Sequence, residues 1–378
     1  MTYYIIAGEA SGDLHGSNLI KAIQQKDSKA TIRCWGGDKM KDTGATLVRH
    51  YKELAFMGFV EVLTNLSAIF KNIAFCKNDI AIFKPDALIF IDYSGFNLRI
   101  AKWAKEQGIR THYYIAPQIW ASREGRIKKM KRDINALYVI LPFEKDFYET
   151  KHHYAANFVG HPLLDAIADR PTPNATRFKT ENNLHATKPI IALLPGSRKQ
   201  EVEKMLAVML SLTETFNSYQ FVIAGAPSLS KEFYAPFLIN NNVAFIENKT
   251  YDLLSCATAA LVTSGTATLE TALFNVPQVV CYKANWLSYQ IAKRIITLKY
   301  ISLVNLIMDA PVVTELIQNS FTKKNLTAAL APLLDGDKRT EQLAAYKKLS
   351  TQLGGAGASK KTATLIIQKT KAFLESTQ

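Results

Sequence analysis

The chain has 378 residues, of which 48% are hydrophobic and 10% aromatic, so it is long enough for two domains and too apolar to be disordered. Its formal net charge of +14 favours partners that carry phosphate, such as a nucleotide-bearing substrate, an anionic lipid or nucleic acid. Four scattered cysteines, with no CxxC pair and no histidines at metal-ligand spacing, argue against a zinc site and are typical of a reducing cytoplasm.

The chain opens directly on a predicted strand, so we expect no signal peptide. Its most apolar stretch, 56–76, is interrupted by polar residues such as Glu61 and Lys71. A membrane-spanning helix needs about 18 or more uninterrupted apolar residues, so we expect no such span.

Apolar runs predict strands along the whole chain, alternating with helical patterns. These runs cover 3–7, 32–35, 87–91, 111–115 and 137–141 in the first half, and 190–194, 220–224, 243–246, 260–263 and 278–282 in the second half. Continuous apolar runs indicate strands that are buried on both faces of parallel sheets. We therefore predict an α/β fold of two Rossmann-like, doubly wound parallel-sheet domains facing a cleft.

Two interruptions of this pattern predict the domain boundaries. The polar stretch 170–189 contains prolines and shows no periodicity, so it predicts a linker. The glycines near 353–361 end one helix, and the apolar stripe that follows predicts a terminal helix with no strand after it. We predict domains over 1–169 and 170–345, followed by a C-terminal helical segment over 346–378.

The loops after the strands are the candidate sites, because ligands of open parallel sheets lie beyond the carboxyl ends of the strands. The first loop, "GEASGDLHG", lacks the lysine of a phosphate-binding loop, and its Glu9 and Asp13 would repel a pyrophosphate. Carboxylates suit sugar hydroxyls or a hydroxyl that loses a proton, although Asp13 is also a candidate helix cap. Asp92, at the end of the run 87–91, is a candidate base or, alternatively, a helix cap or a structural ion-pair partner.

Two loops in the second half favour phosphate. In "LLPGSR", Ser197 and Arg198 follow a strand, and a guanidinium can bridge two phosphate oxygens. In "TSGTATLE", the segment Ser264, Gly265 and Thr266 leads straight into a helix, whose amino-terminal N–H groups attract a pyrophosphate. Glu270, one turn later, is placed to accept hydrogen bonds from ribose hydroxyls. Surface ion pairing of Arg198 and simple helix capping at Thr266 are the alternatives.

The first half also carries candidate surfaces for an anionic or apolar partner. Trp120 lies in the loop "APQIWA", and a basic helix follows with Arg123, Lys128 and Lys129. Phe56, Met57 and Phe59 form an apolar cluster ahead of a helix whose stripe, including Phe70 and Ile73, predicts core packing. Burial of the whole cluster 56–59 against the sheet is the alternative. The DxD-like "DGD" at 335–337 follows a helix and predicts a turn, so we expect no metal there.

The motifs taken together resemble the lipid-A-disaccharide synthase family of GT-B glycosyltransferases. They occur in order over essentially the whole chain, as "AGEASGD" (7–13), "ELAFMGFVEVL" (53–63), "IDYSGFN" (91–97), "APQIWA" (116–121), "LPFEK" (141–145), "FVGHP" (158–162), "LLPGSR" (193–198), "TSGTATLE" (263–270) and "SLVNLI" (302–307). The important aspartate, arginine and asparagine of the family match Asp92, Arg198 and Asn305. The chain departs from the family at 93–95, where alanine-proline-aspartate is common, and this leaves Asp92 as the sole acid of the loop.

The resemblance implies transfer of 2,3-diacylglucosamine from UDP-2,3-diacylglucosamine to lipid X, giving the β-1,6-linked disaccharide 1-phosphate and UDP. It implies UDP binding in the second domain, acceptor binding in the first, and a last helix that returns to the first domain. It also implies a cytoplasmic enzyme, peripheral on the inner face of the inner membrane and in contact with its surface lipids. An α-linked donor and a β product require inversion, with Asp92, Glu9 or Asp13 as base and positive charge from Arg198 and the helix at Thr266 on the leaving UDP. We expect catalysis without metal or cofactor.

The rival functions are another UDP-sugar transferase with a different lipid acceptor, or a UDP-sugar epimerase on the same scaffold. A UDP-sugar epimerase does not need an apolar, basic acceptor domain, and this disfavours the epimerase. A nucleotide-binding sensor remains as an alternative if Asp92 is dispensable. A nucleic-acid-binding protein is disfavoured because the sequence has no RNP, KH, zinc-finger or helix-turn-helix signature.

Overall fold

The computed structural model describes residues 1–54, 66–170, 174–239, 243–283 and 299–377. These residues form two compact units. The first unit combines Met1–Asp169 with Leu353–Gln378, and the second is the continuous stretch Arg170–Gln352. The second unit thus extends beyond the boundary at 345 that we drew from the sequence.

The first unit contains a parallel sheet of seven strands in the order β3-β2-β1-β4-β5-β6-β7. The strands are β1 (Thr2–Ala7), β2 (Thr31–Gly36), β3 (Thr46–His50), β4 (Ala87–Ile91), β5 (Thr111–Tyr114), β6 (Ala136–Val139) and β7 (Ala156–Phe158). The helices are α1 (Ala10–Lys26), α2 (Asp38–Lys41), α3 (Leu66–Phe83), α4 (Ser94–Glu106), α5 (Ile127–Asp133), α6 (Pro142–Asp146) and α7 (Pro162–Ala168). Single helical turns cover Tyr51–Leu54, Glu124–Arg126 and Phe147–Lys151.

The second unit repeats this plan with a parallel sheet of six strands in the order β10-β9-β8-β11-β12-β13. The strands are β8 (Ile190–Leu194), β9 (Gln220–Gly225), β10 (Val243–Glu247), β11 (Ala257–Thr263), β12 (Gln278–Tyr282) and β13 (Thr314–Ile317). The helices are α8 (Ala175–Glu181), α9 (Lys199–Leu210), α10 (Lys231–Leu238), α11 (Thr250–Cys256), α12 (Thr266–Leu273), α13 (Leu303–Met308), α14 (Lys323–Leu334) and α15 (Asp337–Gln352), with one turn at Gln318–Ser320. Helix α8 lies inside the stretch predicted as a linker, where Asn174 caps its first turn.

Both sheets confirm the prediction of doubly wound parallel α/β domains. The central strands β1, β4, β8 and β11 are buried along most of their length, as their continuous apolar runs require. In each sheet the chain reverses its direction of strand addition once, between β1 and β4 and between β8 and β11. Ligands of this fold class bind at that switch point, beyond the carboxyl ends of the strands.

The last helix, α16 (Ala358–Thr377), packs on α1 and α7 and belongs to the first unit. Its amino terminus is held by the buried carboxylate of Asp165, which accepts hydrogen bonds from the backbone N–H groups of Gly357, Ala358 and Ser359. Such a cap satisfies amides that the helix itself cannot pair, and its charge suits the positive end of the helix dipole.

Helix α3 is hydrogen-bonded to the sheet on its inner side and exposes large apolar side chains on its outer side. On the inner side, Asp79 receives two hydrogen bonds from Arg33 and a third, of 2.6 Å, from the hydroxyl of Tyr4. On the outer side, the side chains of Phe70 and Ile82 are 61% and 72% exposed. The sequence pattern placed Phe70 in the core with Ile73, but only Ile73 is buried. The packed inner side fixes the rotation of the helix, and that rotation leaves Phe70 outside.

Among the described residues, no helix has both the length and the apolar character that crossing a membrane requires.

Candidate functional site

The switch point of the first sheet brings together the loops that follow β1 and β4. The ring of Tyr93 lies so close to Gly8 that a Cβ atom at Gly8 would be 2.3 Å from the ring. Only glycine therefore fits at position 8, and the aromatic ring joins the two loops. Tyr93 also stacks on Phe96, with ring centroids 5.4 Å apart.

Asp92 lies at this junction in an unusual backbone conformation. Asp92 and Tyr93 have φ values of +45° and +46°, in the left-handed region that residues other than glycine rarely adopt. The carbonyl oxygen of Asp92 accepts hydrogen bonds from the hydroxyl of Tyr113 at 2.5 Å and from the amide of Asn97 at 2.8 Å. These contacts hold the strained backbone, and strain that persists in this way is common at functional sites.

The pKa of Asp92 is raised to about 6 by the burial of its carboxyl group and by the negative charge of Glu9. The residue as a whole keeps exposed surface at the carboxyl end of β4. A carboxylate with a pKa near neutrality is suited to take a proton from a hydroxyl. The effect of Glu9 on this pKa shows that the loops after β1 and β4 bring two of the alternative candidates for the base near each other.

Asp13 has a different role. It is buried, and its carboxylate accepts hydrogen bonds from the backbone N–H groups of Gly37, Lys39 and Met40, at distances between 2.8 and 3.2 Å. These groups form the start of α2, so Asp13 caps that helix rather than its own. Both oxygens of the carboxylate are thus used by backbone donors, which gives Asp13 a structural role between the first loop and α2.

The loop after β5 is held by hydrogen bonds to two buried side chains, those of Glu144 and Tyr148. The indole N–H of Trp120 donates to Glu144 at 3.0 Å, and the hydroxyl of Tyr148 donates to the carbonyl of Pro117 at 3.0 Å. Glu144 also accepts from the backbone N–H groups of Ile140 and Leu141, while burial raises its pKa to about 7. The polar edge of Trp120 is therefore used inside the protein, in a bond that joins the motifs "APQIWA" and "LPFEK".

The basic segment after this loop is mainly exposed. Arg123, Lys128 and Lys129 are exposed, whereas Arg126 is half-buried and donates to the hydroxyl of Ser94 at 2.7 Å. Ser94 begins α4, directly after Asp92 and Tyr93, so Arg126 brings a positive charge to the same switch point. Sequence reasoning missed Arg126, because one arginine in a basic run carries no distinguishing signal.

In the second unit, the switch point brings the loop after β8 beside the loop after β11. A Cβ atom on Gly196 would lie 3.3 Å from the methyl group of Thr263, which places the two loops in contact. Ser197 is exposed, and its carbonyl accepts a hydrogen bond from Ser228. The side chain of Arg198 is 80% exposed and contacts Glu201 at 3.5 Å, which is too long for a strong ion pair, so its guanidinium is available to an anion.

The loop after β11 presents a helix amino terminus. Gly265 has a φ of +139°, and no described atom lies within 4 Å of the place where its Cβ would be. Gly265 and Thr266 are exposed at the start of α12, where the first N–H groups of a helix have no partner within the helix itself. Ser264 differs, since its hydroxyl donates to the carbonyl of Ile301 at 2.8 Å.

Glu270 lies one turn further along α12. Its carboxylate accepts a hydrogen bond of 2.8 Å from the hydroxyl of Tyr251, and burial raises its pKa. The bond occupies one oxygen of the carboxylate and fixes its orientation. The other oxygen is the candidate acceptor for ribose hydroxyls.

Asn305 is completely buried and is not placed to meet a substrate. Its amide nitrogen donates to the carbonyl of Val313 and to Glu315, each at 2.9 Å, and its amide oxygen accepts from the backbone N–H of Val313. Asn305 was a candidate catalytic residue, but these contacts make it a support for the chain around it. Glu315 was missed because it lies in a short strand that the sequence did not reveal.

Phe56, Met57 and Phe59 lie outside the described residues. Among the described residues that follow them in the chain, Phe70 and Ile82 of α3 are exposed apolar side chains.

A family model described as Lipid-A-disaccharide synthetase matches residues 3–369. A lipid-A-disaccharide synthase from Geobacter metallireducens is 37% identical over 371 residues, covering 96% of each chain. One from Coxiella burnetii is 36% identical over 369 residues, again covering 96% of each chain.

Solved structures show the same fold at much lower identity. A UDP-GlcNAc 2-epimerase from Neisseria meningitidis, bound to UDP-GlcNAc, gives a TM-score of 0.68 at 14% identity and covers 97% of this chain and 100% of its own. The glycotransferase of kitacinnamycin gives a TM-score of 0.66 at 13% identity, covering 97% of this chain and 98% of its own. At such identities the likeness shows the fold alone, and it does not favour epimerisation over glycosyl transfer.

Proposed function

Because the chain belongs to the lipid-A-disaccharide synthase family and is thus a glycosyltransferase of lipid A biosynthesis, we propose the following substrates. The donor is UDP-2,3-diacylglucosamine, and the acceptor is lipid X, a 2,3-diacylglucosamine 1-phosphate. The products are the β-1,6-linked disaccharide 1-phosphate and UDP. The family supports a UDP-sugar donor and a lipid acceptor, and the sites described above support the roles assigned to individual residues.

The observation that carries the donor assignment is the exposed start of α12 at the switch point of the second sheet. The N–H groups near Gly265 and Thr266 and the guanidinium of Arg198 offer positive charge to a pyrophosphate. Glu270 lies one turn further, at a distance along the helix that suits a ribose. The second unit therefore takes the UDP part of the donor.

The first unit takes the acceptor and supplies the base. Asp92, with its pKa near 6, removes the proton from the 6-hydroxyl of lipid X as that oxygen attacks the anomeric carbon. The bond from the anomeric carbon to UDP breaks on the opposite face, which inverts the configuration. The negative charge that develops on UDP is stabilised by Arg198 and the α12 amino terminus. Since these groups supply the positive charge, the reaction proceeds without a divalent metal.

We place the enzyme at the cytoplasmic face of the inner membrane, because both substrates carry acyl chains. Exposing those chains to water costs about 0.8 kcal/mol for each methylene group. The apolar outer side of α3 and the exposed lysines of α5 support this placement.

The direct test is incubation of the purified protein with UDP-2,3-diacylglucosamine and lipid X, followed by mass spectrometry of the lipids. We expect disaccharide 1-phosphate and UDP in equal amounts, with and without EDTA. Incubation with UDP-GlcNAc alone is the control for epimerisation. Formation of a UDP-sugar isomer without disaccharide would overturn the proposal in favour of an epimerase, and a loss of activity in EDTA that magnesium restores would overturn metal independence.

A further inference from the structure

A cluster of hydrogen bonds connects the edge strand β13 to the loop at the start of α12. At its centre is Glu315, the second residue of β13. The carboxylate of Glu315 accepts hydrogen bonds from the backbone N–H groups of Ile301 and Ser302 and from the side-chain amide of Asn305, at distances between 2.9 and 3.2 Å. One carboxylate thereby fixes two successive amides of the segment that precedes α13.

Asn305 completes the cluster from the other side. Its side-chain amide forms a pair of hydrogen bonds with the backbone of Val313, just before β13. The backbone N–H of Asn305 donates to the hydroxyl of Ser302. Both hydrogens of the side-chain amide are used within the protein. Asn305 and Glu315 thus act together, by binding the segment 301–302 to the start of β13.

The cluster reaches the candidate donor site through one bond. The hydroxyl of Ser264 donates its hydrogen to the carbonyl of Ile301, whose N–H is held by Glu315. A carbonyl can only accept, so this bond uses the single hydrogen of the hydroxyl. The hydroxyl of Ser264 therefore supports the loop and has no hydrogen left to donate to a phosphate.

We infer that Glu315 is a positioning residue for the pyrophosphate-binding loop of this enzyme. It acts through Ile301 and Ser264 to hold the amino terminus of α12 in the shape that receives the phosphates. The inference rests on the proposed function, since it assumes that the second unit binds UDP. It assigns no role to Glu315 in binding uridine.

The test is a double-mutant cycle with Glu315→Gln and Ser264→Ala, with binding of UDP and of uridine measured by calorimetry. Oε1 of Glu315 accepts from Ile301, Ser302 and Asn305, whereas Oε2 accepts only from the N–H of Ile301. Glutamine puts an NH₂ group at one of these two positions, so at least one bond to Ile301 is lost and a donor then faces a donor. We expect each single variant to weaken UDP binding about tenfold, since each removes a partly buried hydrogen-bond partner. Because the two residues act in series, the double variant should weaken binding by little more than either single variant.

Two controls distinguish this positioning role from a general loss of stability: the affinity for uridine, and a variant of a matched acid. Uridine carries no phosphate, so its affinity should stay the same in all three variants. Glu247→Gln, which changes an exposed acid at the end of β10, should leave UDP affinity unchanged. If Glu315→Gln does not fold, as judged by thermal unfolding, Glu315→Asp takes its place in the cycle, and Ser264→Ala alone must still weaken UDP binding without weakening uridine binding.

Two results would overturn the inference while leaving the proposed function intact. One is additivity, in which the loss in the double variant equals the product of the two single losses. The other is an equal loss of UDP and uridine affinity in Glu315→Gln. Wild-type protein that binds no UDP would instead overturn the proposed donor site, and this inference with it.

Discussion

The surroundings of Asp92 support the role of base that we propose for it. Its backbone is held in the left-handed region by Tyr113 and Asn97, and its carboxyl group lies beside Glu9. The neighbouring charge and the loss of solvent both disfavour the ionised form, so the pKa rises towards the pH of the cell. A base must be ionised to act yet basic enough to take a proton, and Asp92 meets both conditions near neutral pH.

Replacing Asp92 by asparagine should abolish most turnover while sparing the donor site. Asn keeps the size and hydrogen bonding of the side chain but cannot take a proton. We expect turnover of UDP-2,3-diacylglucosamine with lipid X to fall about a hundredfold or more, with UDP affinity unchanged. Glu9→Gln is the comparison: an active Asp92→Asn together with an inactive Glu9→Gln would move the base to the first loop.

The pH dependence of turnover tests the same residue independently. Asp92 is ionised above its pKa, so the rate should fall as the pH drops through about 6. Glu9→Gln removes a negative charge that raises this pKa, and the acid limb of the kcat profile should therefore move to lower pH. A limb that does not move would show that Glu9 does not act on the catalytic base.

Replacing Glu270 tests the proposal that its carboxylate accepts hydrogen bonds from the ribose hydroxyls of UDP. Glu270→Ala removes both carboxylate oxygens and should weaken UDP binding more than tenfold in calorimetry. Tyr251→Phe is a matched control, because it removes only the hydroxyl that orients the carboxylate and should have a smaller effect. Unchanged affinity in Glu270→Ala would contradict the assignment.

The residues of the candidate site were predictable where they follow long apolar runs. Asp92, Arg198 and Gly265 each stand just after such a run, and the rule for parallel sheets then places them at the switch points. The contact of Tyr93 with Gly8 and the cap that Asp13 provides for α2 join segments distant in the chain. No local pattern records such contacts, so the sequence does not reveal them.

At the scale of whole elements, the sequence predicted the inner strands and missed three edge strands. The missed strands are β3, β7 and β13, with the sequences "TLVRH", "ANF" and "TELI". Each has a neighbour on one side only, so it needs no continuous apolar run and is short or partly polar. Glu315 is in one of these strands, which is why the Glu315 cluster emerged only from the structure.

The cap at Asp165 is one of the contacts that attach α16 to the first unit. Asp165→Ala leaves the first amides of the helix without a buried partner, and we expect a loss of about 1–2 kcal/mol in the free energy of unfolding. Thermal unfolding should shift to lower temperature, and limited proteolysis should cleave the C-terminal helix sooner. Asp169→Ala, an exposed acid close by, should change neither. Equal behaviour of the two variants would show that the cap does not hold the helix.

At the scale of the molecule, positive charge and an apolar helix surface together favour a membrane surface. A net charge of +14 attracts anionic lipid over about 8 Å at physiological salt. The exposed Phe70 and Ile82 supply an apolar contact that is not screened by salt. The hydrogen bonds of Asp79 fix the opposite side of α3, so the apolar surface stays outside.

Flotation with vesicles of anionic phospholipid tests this placement. The wild-type protein should float with the vesicles at low salt and less at high salt. Phe70→Ser combined with Ile82→Ser should release it without lowering its unfolding temperature, since both side chains are largely exposed. Ile239→Ser, which changes an exposed apolar residue of the second unit, is the matched control and should still float. Wild-type protein that stays in solution at every salt concentration would contradict the docking surface.

The return of α16 to the first unit sets an order of events during synthesis on the ribosome. The strands of the first sheet emerge first, but the helix that packs on α1 is translated only after the entire second unit. Domains commonly fold as they emerge, yet here the earlier domain must wait with one helix surface uncovered while the later one is completed. The second unit, being continuous, is the part of the chain that can close its own core first. The nascent first unit is therefore the stage at which we expect this protein to depend most on chaperones.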